Sequence, residues 1–336
     1  MIRRSSIILA MLIAVAIAIT AAGCGDKKSD GSASGMSAPD IVAASKTADL
    51  TTNSAMVQGT MSVTLKGDAA KLGQDDPATS ALFNAPIGLR IDGAMQKDPK
   101  AFDGTVTAVI GGKEVTFGLK YDGTDAWIGY KDKWYETPAD FKDTLSQIET
   151  QATAASPTEI QSQLDTSKMG GTATVVGTEQ IAGVETDHVS TTFDGPVLLK
   201  YMGEQMTADG ALQDSITGAL GAASAADPSA VPAIDESQLA AIKDLLASMT
   251  IGTLKLDAWY QTSDHRTVQE EITLSMTFGA TLSSMGLEGV DMTGKMTLSN
   301  LDQPVTVTAP ADALPAGQLD AATAELENLF PSGTGL

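Results

Sequence analysis

Three long stretches of this chain alternate apolar and polar residues. Val57, Gly59, Met61, Val63 and Leu65 interleave with Gln58, Thr60, Ser62 and Thr64. Val268, Glu270, Ile272, Leu274, Met276 and Phe278 alternate near the end, and Val290, Met292, Gly294, Met296 and Leu298 do the same. A period of two sends successive side chains to opposite faces of a strand. Long strands of this kind, joined by turn signals, predict a large antiparallel sheet with one apolar face. They do not suit the parallel sheet of repeated strand-helix-strand units.

The rest of the pattern agrees. Ile87, Leu89, Ile91 and Met95 form another strand set. Residues 105–110 and Val115, Phe117 and Leu119 flank Gly111-Gly112, a two-residue hairpin signal. Residues 121–129 and Trp134-Tyr135 predict a second hairpin, and 172–179 with 184–193 a third. Leu254, Leu256, Ala258 and Tyr260 alternate, and Val305 with Val307 is expected to close the pattern after Pro304. Helices are expected over 39–50, after Ser156-Pro157, over 196–220 and over 235–249. In the last of these Leu239, Ile242, Leu245, Leu246 and Met249 make a stripe.

The amino terminus has a different character. Arg3 and Arg4 precede an apolar run from Ile7 to Ile19, and the small residues Thr20, Ala21, Ala22 and Gly23 follow. Next comes Cys24, the only cysteine. A basic start, an apolar run and a small-residue exit describe a secretory signal peptide. An uncleaved membrane helix competes on length, but the small residues before Cys24 favour cleavage. Ala21-Ala22-Gly23-Cys24 resembles the lipobox of bacterial lipoproteins, with Ala where Leu is usual at its first position. That resemblance implies a diacylglyceryl group on the Cys24 thiol and a mature chain beginning there. Long acyl chains anchor firmly, at about 0.8 kcal/mol for each buried methylene. Residues 25–39 are rich in Gly and Ser and read as a tether of about 20 Å mean reach.

Charge restricts the partners. Against 21 Lys and Arg stand 42 Asp and Glu, for a net −21, and loss of Arg3 and Arg4 with the signal makes the mature chain more acidic. Nucleic acid selects basic faces, and anionic lipid attracts Lys and Arg, so neither is an expected surface partner. Aromatic residues are only 4%, whereas Met numbers 14, a composition that suits a soft, adaptable interior.

The order of elements resembles the lipid-carrier lipoproteins of the LppX/LprG type and, more distantly, the periplasmic carrier LolA. The residues that carry the resemblance are Cys24, "SAMVQGTMSVTL", "YDGTDAWIGYKDKWYE", "GTEQIAGVETDHVSTTF" and "LDAWYQTSDHRTVQEEITLSM … LSNLDQPVTVTAP". It implies an α+β fold: a strongly curved antiparallel sheet, an unclosed barrel, with helices packed in its concave face. It also implies that acyl chains lie between sheet and helices. The expected organisation is a signal peptide over 1–23, a lipidated tether over 24–39 and a LolA/LppX-like lipid-binding domain over 40–310. The composition of the tail, 311–336, allows disorder. Candidate lining residues are Met61, Val63, Leu65, Ile91, Met95, Phe117, Leu119, Leu245, Met249, Met276 and Met296.

No residue stands out for catalysis. His188 sits on the polar side of a strand and His265 in the turn Ser263-Asp264-His265-Arg266, and both read as solvated. Neither a Gly-x-Ser-x-Gly elbow nor a Ser-x-x-Lys motif supplies a nucleophile. No His/Cys spacing suits zinc, and Asp122-Gly123-Thr124-Asp125 lacks the distal Glu of a calcium loop. Trp127, Trp134 and Tyr135 could stack a sugar, but hairpin packing is the favoured reading. The expectation is therefore a non-enzymatic, membrane-anchored extracytoplasmic lipoprotein, without metal or cofactor. It would carry a lipid or glycolipid within the envelope and meet a transporter or acceptor protein there. A structural module with a closed core is the alternative, and an enzyme with a dispersed site is a distant third.

Overall fold

The computed structural model describes residues 33–68, 71, 83, 85–137, 168–207, 248–284 and 286–319. Eleven strands form one antiparallel sheet. They are β1 (Ser54–Gly67), β2 (Pro86–Gln96), β3 (Ala101–Ile110), β4 (Lys113–Tyr121), β5 (Ala126–Tyr130) and β6 (Lys133–Glu136). Then come β7 (Gly171–Ile181), β8 (Val184–Phe193), β9 (Thr250–Gln261), β10 (Thr267–Thr277) and β11 (Leu287–Ser299). Their spatial order is β6-β5-β4-β3-β2-β1-β11-β10-β9-β8-β7. The first and last strands thus pair at the centre. The two edges, β6 and β7, are neighbours in sequence and do not pair with each other, so the sheet is unclosed, as expected.

Turn chemistry fixes the register. Gly111 and Gly112 both have positive φ, 55° and 75°, the geometry a two-residue hairpin needs. Lys131 and Asp132 adopt the same region without glycine, at 48° and 61°. The strand predicted over 121–129 begins only at Ala126, because Tyr121 is the end of β4 and a turn follows it. Asp122 Oδ1 accepts the N–H groups of Thr124 (3.0 Å) and Asp125 (2.8 Å), and the side chain builds a turn that ends β4.

Three described helices accompany the sheet: α1 (Ala38–Thr51), α2 (Gly195–Thr207) and α3 (Ala280–Ser284). Ser37 caps α1, its hydroxyl accepting the N–H of Asp40. Ile41 and Val42 of α1 are sealed against Ala173, Val175, Val189, Ala258 and Tyr260. The leader is fixed too. Asp187 of β8, fully buried, accepts the Ala33 N–H at 2.7 Å and the Ser34 hydroxyl at 2.8 Å. The chain is therefore tied to the domain several residues before the expected end of the tether.

The carboxy-terminal segment departs from expectation. Val305 and Val307 are not in a strand. Pro304 has no N–H for a ladder, and the Val305 N–H goes to the Gln96 side chain at 2.9 Å. Residues 301–314 form a strap instead. Lys120 Nζ donates to Thr308 O at 3.3 Å, and Leu314 exchanges backbone bonds with Trp134 and Glu136, covering the β6 edge. A short 3-10 turn, Ala316–Gln318, then lays Leu319 against Ile128, Tyr130 and Tyr135. The start of the supposed tail is packed structure. The predicted helix after Ser156-Pro157, residues 208–247 and residues 320–336 lie outside the described residues.

Candidate functional site

Register identifies the faces. On β1 the set Gly59, Met61, Val63 and Leu65 pairs with Met296, Gly294, Met292 and Val290 of β11 and with Ile91, Leu89, Ile87 and Phe83 on its other side. β10 extends the row with Glu270, Ile272, Leu274 and Met276. β2 passes it to Val106 and Phe102 of β3, and these pair with Phe117 and Tyr121 of β4. Cross-strand partners share a face. Every strand candidate named from the sequence, Met61, Val63, Leu65, Ile91, Met95, Phe117, Leu119, Met276 and Met296, therefore lies on one face. It is the face that α1 covers at the β7–β9 end, and we call it the inner face.

Burial along this face is uneven. At the β7–β9 end the residues under α1 are sealed. At the β5–β6 end Ile128, Tyr130, Tyr135 and Leu319 close a second cluster, with Phe117 stacked on Tyr130 at 5.4 Å. Between the two, Met61, Val63, Leu65, Ile91, Met276 and Met296 are only half-buried, and Met95 is 40% exposed. The middle of the inner face is thus apolar without being closed over by the described residues.

The two remaining lining candidates are Leu245 and Met249. Leu245 lies outside the described residues. Met249 is not on a helical stripe: it is half-buried in irregular chain just before β9.

Glycine shapes the middle of the face. A Cβ on Gly59 would lie 3.8 Å from Lys295 O and 4.0 Å from Ile91 Cβ, which is ordinary contact. Gly93 and Gly104 face one another so closely that a Cβ on Gly93 would stand 2.7 Å from Gly104 Cα. The first position accepts a Cβ without a clash, and the second is a backbone approach only glycine permits.

A carboxyl also lies on this face beside the half-buried strip. Glu270 is 6% exposed, between Ala258 and Met296 in register, and its Oε2 is buried without a hydrogen bond. Burial, reinforced by the charge of Asp49, pushes it up to about 8. Asp49, in the last turn of α1, accepts the Thr267 N–H at 2.9 Å and the Thr267 hydroxyl at 2.6 Å. Burial raises Asp49 more than those bonds, Lys97 and Arg266 lower it. Period-two reading marked position 270 as inward, but its partner in α1 had no signal in the sequence.

The outer face is polar and holds the clearest correction. His188 is not solvated but 9% exposed. Its Nδ1 lies 2.9 Å from Glu179 Oε1 and its Nε2 3.1 Å from Asp257 Oδ1, and its ring stacks on Trp259 at 4.2 Å. Trp259 Nε1 donates to Glu179 Oε2 at 3.2 Å, and Lys255 Nζ lies 2.8 Å from Asp257. Burial raises Asp257, but bonds from Lys255, Ser190 and His188 outweigh it and leave the carboxyl below its ordinary value. Glu179, His188, Asp257 and Trp259 link β7, β8 and β9 through these contacts, and the Ser190 hydroxyl serves Asp257 rather than the imidazole. The cluster is a clamp across three strands.

His265 is half-buried with positive φ, 61°, and its Nδ1 is buried without a partner. The aromatic hairpin packs on itself: Trp134 lies against Gly118 and Gly129, Trp127 is 8% exposed and Tyr135 joins the inner cluster. Two grooves, of about 640 and 520 Å³, lie beside Trp134 and under the strap, on the outer face. Both are open to solvent and lined by charged and polar as well as apolar residues. Among the described residues no group of three His, Cys, Asp or Glu side chains is placed to hold a metal ion. No described helix is long and apolar enough to cross a membrane.

No protein-family profile matches the chain, and no curated protein does. Solved structures do. Lipoprotein LppX from Mycobacterium tuberculosis is 14% identical, covers 80% of this chain and 97% of its own, and superposes with a TM-score of 0.36. LprF from Mycobacterium bovis is 16% identical, with 81% and 96% covered and a TM-score of 0.36. A LolA superfamily protein from Nitrosomonas europaea is 9% identical, with 81% and 95% covered and a TM-score of 0.20.

Proposed function

We propose that this protein is a lipid-anchored extracytoplasmic carrier that holds the acyl chains of a lipid or glycolipid against the inner face of its sheet. The observation that supports this reading most is the half-buried apolar strip across β10, β11, β1 and β2. It lies between two sealed clusters, and Met residues line much of it. Burial of an acyl chain there contributes roughly 25 cal/mol per Å² of apolar surface. Met side chains adapt to chains of different shape. The reading needs no catalytic group. Cys24 would tether the carrier to its membrane, and a transporter or acceptor in the envelope would load or receive the lipid.

Gly59→Leu provides the test. The site has room for a Cβ, and a strand accepts Leu, so thermal stability should stay within a few degrees of the parent. The added side chain would stand on the inner face and should lower binding of a fluorescent fatty acid at least tenfold. Unchanged binding by this variant, or no binding by the delipidated parent, would overturn the carrier reading in favour of a structural module.

A further inference from the structure

We propose that Glu270 and Asp49 form a charge-gated latch that seats the carboxy-terminal end of α1 on β10. The consequence for lipid loading rests on the carrier reading above; the latch itself does not. Asp49 joins helix to sheet through both Thr267 donors, and Glu270 lies beneath that joint with its Oε2 sealed and unbonded. A neutral carboxyl can occupy such a place. An anion there has neither water nor a donor for Oε2 and stands near a second carboxylate.

The charged neighbours are few. Asp49 is the charged group that acts on Glu270. Lys97 and Arg266 act on Asp49, and the Lys97 Nζ is bonded to the Asp49 backbone oxygen at 2.9 Å. Ala258 and Met296, beside Glu270 in register, carry no charge. Ionisation of Glu270 therefore favours lifting of the α1 end, which admits water to the carboxylate. Lifting also uncovers the sealed border of the half-buried strip. The proton leaves to solvent as the helix end opens.

The sign follows from linkage. The folded-state value, about 8, exceeds the ordinary 4.5. The closed state thus binds more protons than the open one between those limits. Closure is fully favoured below pH 4.5 and weakens as pH rises, by up to about tenfold in the opening constant for each pH unit, then levels off above about 8.

Hydrogen exchange of the α1 and Thr267 amides, corrected for intrinsic base catalysis, should show this rise in the intact protein from pH 5 to 8.5. Glu270→Gln should abolish it while preserving the fold. Asp49→Asn provides a second variant: burial alone then opposes ionisation of Glu270, so the rise should be smaller and should level off at lower pH than in the parent. A rise that persists unchanged in Glu270→Gln, or exchange in the parent that is flat with pH, overturns the latch. Fluorescent fatty-acid binding at pH 5.5 and 8.5 separates the two ideas. If the exchange behaves as stated but no fatty acid binds at either pH, the latch stands and the carrier reading falls.

Discussion

Ser34 donates its hydroxyl to Asp187 at 2.8 Å across 153 positions of sequence, and Asp187 is fully buried. This bond fixes where the leader meets the sheet. From Cys24 to the pinned Ala33 about nine residues remain, and fully extended they span about 30 Å at most. Under the proposed lipidation of Cys24, the end of the sheet around β8 would be held close to the membrane. Asp187→Ala removes a charged acceptor from two donors. It should cost about 1–3 kcal/mol by denaturant unfolding and should expose the 33–37 stretch to proteolysis. Equal stability and equal protease resistance would show that the bond does not hold the leader.

The anchor has its own test. Membrane-extracted protein should begin at Cys24 and carry acyl mass there, and Cys24→Ser should accumulate as a poorly processed precursor. An unmodified thiol on mature protein, detected by intact mass and alkylation, contradicts the lipobox.

Packing under α1 contrasts with the open strip. Ile41 has no exposed surface. Ile41→Ala should destabilise by about 2–5 kcal/mol, the range for large-to-small changes in a sealed core. Met61→Ala, on the half-buried strip, should cost clearly less and alter fatty-acid binding more. Thermal unfolding of the pair measures the difference, and equal costs would mean that the strip is as closed as the core.

The outer clamp is expected to be structural. His188→Ala leaves Glu179 and Asp257 without their shared partner and should cost about 1–3 kcal/mol. Fatty-acid binding should be unaffected in the folded fraction. A large loss of function without loss of stability would point to chemistry at this cluster.

Acid should weaken the same clamp. The folded-state value of Asp257 lies below its ordinary 3.8. Its contribution is present above that pH and is lost as pH falls through the lower, folded value. Asp257→Asn should therefore reduce the fall in stability below about pH 4. An unaltered acid limb in urea titrations would show that other carboxylates carry it.

Sequence alone determined the alternation, and with it the antiparallel sheet and the membership of its inner face. The reason is local: a period of two sorts side chains whatever their partners are, so Met61, Ile91, Phe117 and Met296 were recognisable as facing one way. Gly111-Gly112 was legible for the same reason, since the turn needs only its own backbone. Other features required the tertiary structure. Asp49 meets Thr267 and Glu270 across more than 200 positions, and His188 meets Asp257 across 69. No spacing rule encodes such pairs, because they depend on which strands lie side by side. Val305 and Val307 read as a strand because alternation cannot reveal whether an edge is available. The folded sheet had placed β1 beside β11 and left the strap to reach the β6 edge instead. Which apolar residues are sealed and which stay half-buried was decided by where α1 and Leu319 come to rest.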